Sequence, residues 1–240
     1  MKWYIPKEHG AWAMLIVPYW TGAAISGIQW SHFVFFTGLF AVYFAQAPLL
    51  TYIRNSKNTD VWTSFFIYIT LGSVILLPFF INKPALFLIG LCILPLFIVN
   101  IYFAKTKRER WFINDFIAIT ALSSLLLMAY RLTEPALHLE AILYLLVNIM
   151  FFTASVFHVK SLIREKKNIR FRRWSSFYHF SIVIFALFFQ AWAIAAAFLT
   201  TLLKTIFIPR KFLQRPAQIG IIELVNSIVF YIIIVTAYYW

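Results

Sequence analysis

Residues 157–173 read FHVKSLIREKKNIRFRR. This stretch packs seven Lys and Arg directly behind the apolar run AILYLLVNIMFFTASV at 141–156. An apolar run long enough to cross hydrocarbon, closed by a dense block of cations, is how a membrane span and its inner loop are written. The same alternation continues in both directions. Segmentation at charges and Pro clusters gives about nine apolar runs, at 11–28, 33–53, 62–82, 84–104, 112–130, 137–160, 175–190, 191–208 and 218–239. Runs three and four are divided by Asn82-Lys83-Pro84, a turn signal. Runs seven and eight are divided only by Gln190. They are read as two because 175–208 is too long for one crossing.

The charges test this count. With the N-terminus inside, every Lys and Arg falls in an inner segment except Lys83 and Arg131. Merging or dropping one run would put basic loops on both sides. The expectation is therefore an all-α polytopic bundle of about nine transmembrane helices. It has its N-terminus inside, its C-terminus outside, and a single transmembrane domain over 1–240. The first run follows a basic N-terminus but is long and carries Pro18 and Trp20, so it is read as a retained span.

Composition agrees. Of 240 residues, 62% are hydrophobic and only 12% charged, half the charged share of a soluble domain. The net charge of +13 does not point to nucleic acid, because the cations sit in short gaps between apolar runs rather than on a soluble face. The expected partners are membrane lipids, in a bacterial cytoplasmic membrane. The single cysteine, Cys92, permits no disulfide within the chain. The spacing of acids and imidazoles supports no metal site, and no cofactor is expected.

Polar residues inside spans are functional candidates by default. Gln46, Asn100, Asn114, Lys204, Glu223 and Asn226 all fall in the inner half of their runs. Lys204 and Glu223 lie at one depth in consecutive runs, which also suits a structural ion pair. The cations Lys7, Arg54, Lys57, Lys160 and Arg164 converge on the same face and favour an anion at the lipid boundary. Glu8, His9, Asp115 and His158 are the candidate acid/base groups. No nucleophile triad or phosphate-cradling glycine loop is present.

Two resemblances carry further. PKEHGAWAML at 6–15, with VFHVKSLIRE at 156–165, resembles the YwiC-like family of bacterial integral membrane proteins, which brings no activity with it. The arrangement of spans and basic inner loops is also similar to the UbiA prenyltransferase superfamily. The strings YFAKTKRERWFINDFIAI (102–119) and FFTASVFHVKSLIREKKN (151–168) look like two of that superfamily's inner connections. In those enzymes, acidic motifs after spans two and six hold Mg²⁺, which binds a prenyl diphosphate. Here FAQAPLLTYIRNSKN (44–58) has no acid, and 151–168 has only Glu165. Metal-dependent prenyl transfer is thereby disfavoured, since Mg²⁺ takes carboxylate oxygens. The resemblance implies a UbiA-like scaffold in which Arg54 and Lys57 face Lys160 and Arg164 across a cytoplasm-facing pocket. That pocket would hold an amphipathic anion, a prenyl diphosphate or a similar lipid. The alternatives are a transporter or permease, or a non-catalytic accessory protein.

Overall fold

In a computed structural model, residues 3–6, 9–208 and 215–240 are described, with only the backbone of His9. Among them the chain is helical throughout, in ten segments. These are α1 (His9–Ile25), α2 (Trp30–Arg54), α3 (Val61–Asn82), α4 (Pro84–Lys105), α5 (Phe112–Ser123), α6 (Leu125–Arg131), α7 (Leu139–Leu162), α8 (Ile169–Phe188), α9 (Trp192–Phe207) and α10 (Pro216–Tyr239). Helices α5 and α6 are one bent rod, so each of the apolar runs read from the sequence becomes one rod. Six of them, α2, α3, α4, α5 with α6, α7 and α10, are long and apolar enough to cross a bilayer. The chain is a multi-pass membrane protein. The shorter α1 and α9 are apolar, while α8 begins polar, in IRFRRWSSFYHF.

Local chemistry sets the breaks. Pro84 and Pro216 open α4 and α10 at positions where a missing backbone N–H costs nothing. Lys83 closes α3 and opens α4, donating its backbone N–H to Phe79 and accepting from Leu86. Asn168 caps α8 by accepting from the Phe171 N–H at 3.0 Å. The α8–α9 break lies at Gln190, the one amide side chain in FALFFQAWAIAAAF at 185–198. Gln190 takes φ 56°, with Gln190 N–H on Leu187 O and Ala191 N–H on Ala186 O. That is the left-handed helix stop normally made by glycine. Gln190→Gly should therefore relieve about 1 kcal/mol of backbone cost. The expected result is a rise of roughly 2–4 °C in the unfolding midpoint in detergent.

Small residues let the rods approach. A Cβ built on Gly22 of α1 would lie 2.3 Å from the carbonyl oxygen of Leu126 in α6. A Cβ on Gly72 of α3 would lie 2.6 Å from a Val42 methyl and 2.9 Å from the Gly38 carbonyl, both in α2. Close backbone contact at small residues is the usual route to helix association where lipid removes the hydrophobic drive. Helices α3 and α4 instead show large apolar side chains outward, among them Val74, Leu77, Ile81, Leu88 and Ile98. Lipid is the solvent that covers them.

One buried histidine not singled out from the sequence ties an end of the bundle. His32 sits in the first turn of α2, accepts at Nδ1 from Gln29 N–H at 3.0 Å and reaches the Ala129 carbonyl of α6 with Nε2 at 3.0 Å. Tyr19 of α1 donates to the His32 carbonyl at 2.7 Å. Three helices thus close on one histidine.

Candidate functional site

Helical spacing places the buried polar groups of the C-terminal half together. Ser155 and His158 share one face of α7; Thr201, Lys204 and Thr205 share one of α9; Glu223 and Asn226 share one of α10. At their meeting point the Glu223 carboxylate accepts from Lys204 Nζ at 2.6 Å through Oε1 and from the Ser155 hydroxyl through Oε2. His158 Nε2 lies 3.9 Å from Glu223 Oε1. Asn226 Nδ2 donates to Thr201 Oγ1 at 3.5 Å. Glu223 and Lys204 are only 4% and 8% exposed, so neither charge is shared with water. Each ion is tolerable there because the other is present.

The hydrogen-bond pattern assigns a tautomer to His158. Thr205 Oγ1 gives its one hydrogen to the Thr201 carbonyl at 2.9 Å. Its lone pairs then accept from His158 Nδ1 at 3.2 Å, which places the imidazole proton on Nδ1. The Nε2 lone pair is the basic position, and it faces the carboxylate side.

Beside this cluster, where α7 and α9 end and α8 begins, lies a cavity of about 180 Å³. His158, Ser161, Leu162, Arg172, Ser175, Ser176, Thr205 and Ile208 line it. Among the described residues the wall offers a guanidinium, an imidazole and four hydroxyls, and no carboxylate. Ser161 is committed to the His158 carbonyl at 2.8 Å. The Ser175 hydroxyl is buried and has no hydrogen-bond partner among the described residues. A buried hydroxyl left so is costly and calls for a ligand or water to satisfy it. His179 of α8 stands behind, its ring centroid 6.4 Å from that of His158 and its Nδ1 on the Ser175 carbonyl at 2.7 Å.

Two of the cations expected to bind an anion are engaged elsewhere. Arg54 makes a two-pronged ion pair with Glu109, at 2.7 and 2.9 Å. Lys160 pairs with Asp115, donates to the Arg110 carbonyl at 3.0 Å and lies over the Phe112 ring. Both therefore staple the α4–α5 connection, which carries acceptors the sequence reading left unmatched. Lys57 and Arg164 are exposed. None of these four lines this cavity, and Arg54 and Lys160 each have a carboxylate partner. Asp115, a candidate acid, is neutralised by Lys160. Lys160→Ala would strand that carboxylate and should loosen the α5–α7 contact, read as faster proteolysis of the 105–111 connection.

Of the other candidates, Asn100 and Asn114 donate to backbone carbonyls at 2.9 and 3.0 Å, on Leu96 and Glu109. Gln46 is half-buried in α2. Lys7, Glu8 and the side chain of His9 lie outside the described residues. The structure does bring His158, Lys204, Glu223 and Asn226 together. It adds Ser155, Arg172, Ser175 and Thr205, which the sequence reading did not select. Arg172 was visible there only as one charge of a topology signal, and lone hydroxyls in apolar helices leave no periodic trace.

The opposite end of the bundle has the opposite character. A cavity of about 540 Å³ lies among Ile25, Tyr130, Glu134, His138, Leu139, Glu140 and Tyr238. Glu140 accepts there from the Tyr130 hydroxyl at 2.7 Å. Among the described residues no three His, Cys, Asp or Glu side chains come together as a metal cluster.

A family model described as YwiC-like protein matches residues 5–130, which span α1 to α6. Uncharacterized protein YwiC of Bacillus subtilis (strain 168) is 34% identical over 233 residues, covering 96% of each chain. An uncharacterized protein of Haemophilus influenzae is 27% identical over 99% of each chain. Both alignments run through the α7–α10 cluster. No solved structure matches, so the UbiA likeness rests on the sequence strings alone. By the family model and the Bacillus alignment together, the chain belongs to the YwiC-like family.

Proposed function

We propose that this protein sits in the bacterial cytoplasmic membrane with its N-terminus and the 157–173 loop inside, and binds an amphipathic anion at that basic end. The supporting observation is the cavity between α7, α8 and α9, whose polar lining is cationic and hydroxylic with no carboxylate. Such a wall suits a phosphate or carboxylate head, bound directly rather than through a metal. The apolar remainder of the ligand lies along the bundle in lipid. A UbiA-like scaffold is compatible with this reading and is not needed by it.

Two experiments test the proposal. A prenyl diphosphate titrated into the detergent-solubilised chain with excess chelator should bind; absence of binding, or binding abolished by the chelator, overturns metal-free anion binding. Orientation is tested in spheroplasts. In a chain with Cys92 replaced by Ser, cysteine at Lys166 should resist an impermeant maleimide, while cysteine at Thr133 should react. The reverse pattern overturns the assignment.

A second reading, anion transport, is favoured by the buried Lys204–Glu223 pair with His158 beside it. Ionisable groups at such depth often mark ion pathways. Flux of a labelled anion into proteoliposomes separates transport from binding alone.

A further inference from the structure

One titratable group, His158, both lines the α7–α8–α9 cavity and touches the ion pair behind it. We propose that the cavity receives a tetrahedral oxyanion head, and that the anion enters together with a proton taken up on His158 Nε2. This rests on the anion-binding reading above and adds the residues, the head-group class and the linkage to pH.

The site has donors for such a head. Ser175 is 1% exposed and its hydroxyl has no partner among the described residues, so an oxyanion supplies the acceptor it lacks. Arg172, exposed at the rim, offers the planar fork that suits two oxygens of one anion. At about 180 Å³ the cavity is smaller than the roughly 300–1,000 Å³ of pockets that enclose whole drug-sized ligands. It takes a head group and leaves any tail outside.

Charge balance brings in the proton. Glu223 is already neutralised by Lys204, at 2.6 Å. A dianionic head added beside this pair meets one cation in the wall, Arg172, and leaves one negative charge uncompensated in a poorly screened interior. Among the described residues, the charged and titratable groups around His158 are Arg172 and His179 on α8, Lys204 on α9 and Glu223 on α10. On its own helix, Lys160 is occupied by Asp115 of α5. Among these, His158 alone has a basic nitrogen facing Glu223, while its Nδ1–H stays bonded to Thr205. A proton drawn from the inner aqueous phase onto Nε2 restores neutrality and places imidazolium between two anions. By linkage, whatever raises proton binding when the anion enters also tightens the anion as pH falls.

The test uses inorganic sulfate and octyl sulfate, whose charge is constant between pH 5.5 and 7.5, titrated calorimetrically into the full chain in non-ionic detergent. Wild type should bind the sulfate dianion about tenfold more tightly at pH 5.5 than at pH 7.5, with net proton uptake measured from two buffers of different ionisation heat. His158→Gln should abolish the pH difference, and His179→Gln should keep it. Ser175→Ala and Arg172→Gln should each weaken binding about tenfold at both pH values. Tighter binding of octyl sulfate than sulfate identifies a lipid head as the natural ligand, and equal binding identifies a free oxyanion. Binding of equal strength at both pH values, or pH dependence lost in His179→Gln instead, overturns the proton linkage while leaving the anion reading standing. No binding of either anion overturns both. If His158→Gln does not fold, the wild-type pH series and Arg172→Gln, an exposed change, still decide.

Discussion

Glu223→Ala should cost about 3–5 kcal/mol, because it leaves the Lys204 ammonium buried without its partner. In a chain of this size that corresponds to a fall of roughly 10 °C or more in the unfolding midpoint. The loss has two parts in the structure: the Lys204 ion pair and the Ser155 hydrogen bond. Only the first involves a full buried charge. The double change Glu223→Leu with Lys204→Met should therefore recover most of the stability, since an apolar pair of similar volume can replace a buried ion pair without loss. A double variant as unstable as the single one would show that packing around Glu223, not the charge, carries the effect. The same double variant should still bind sulfate, more weakly, because Arg172 and Ser175 remain.

Gly22→Leu is expected to be at least as damaging. The carbonyl of Leu126 stands where a Cβ would go, 2.3 Å away, and it belongs to backbone rather than to a movable side-chain end. Two helices would have to part. Since α1 also packs against α5, α7 and α10, the displacement spreads through the core that holds Leu15, Tyr19 and Ala23. Overpacking in cores typically costs about 1–3 kcal/mol, and a backbone clash lies at or above the upper end. Gly22→Ala should yield folded but clearly destabilised protein, and Gly22→Leu little monodisperse protein by size exclusion. Gly220, with nothing near its missing Cβ, is the control: Gly220→Ala should be neutral or stabilising.

These effects show what a single chain reveals of itself. The rods were legible because a bilayer imposes one length scale on apolar runs and one rule on cations. Run limits at 62–82 and 84–104 meet α3 and α4 within a residue. The division of 175–208 was legible from length, though the stop at Gln190 depends on a left-handed residue that no pattern advertises. The Lys204–Glu223 pair was legible because depth in adjacent runs is a short-range inference. The partners of Arg54 and Lys160 were not. Glu109 and Asp115 lie 55 and 45 positions away in sequence, on the α4–α5 connection and in the first turn of α5, whose path depends on how α2, α4 and α7 pack. Charge counting treats every inner cation as available, whereas folding had already committed two of them to carboxylates. The cavity residues escaped for the converse reason. Ser175 and Thr205 look like ordinary small polar residues of membrane helices until α8 and α9 turn them toward His158.

The most direct test of an anion site at this end is to locate the anion itself. Crystals of the full chain soaked in selenate should give an anomalous peak within hydrogen-bonding distance of Ser175 Oγ and the Arg172 guanidinium, beside His158. Selenate found only along Arg164, Lys166, Lys167, Arg170 and Arg173, or nowhere on the protein, would contradict the account.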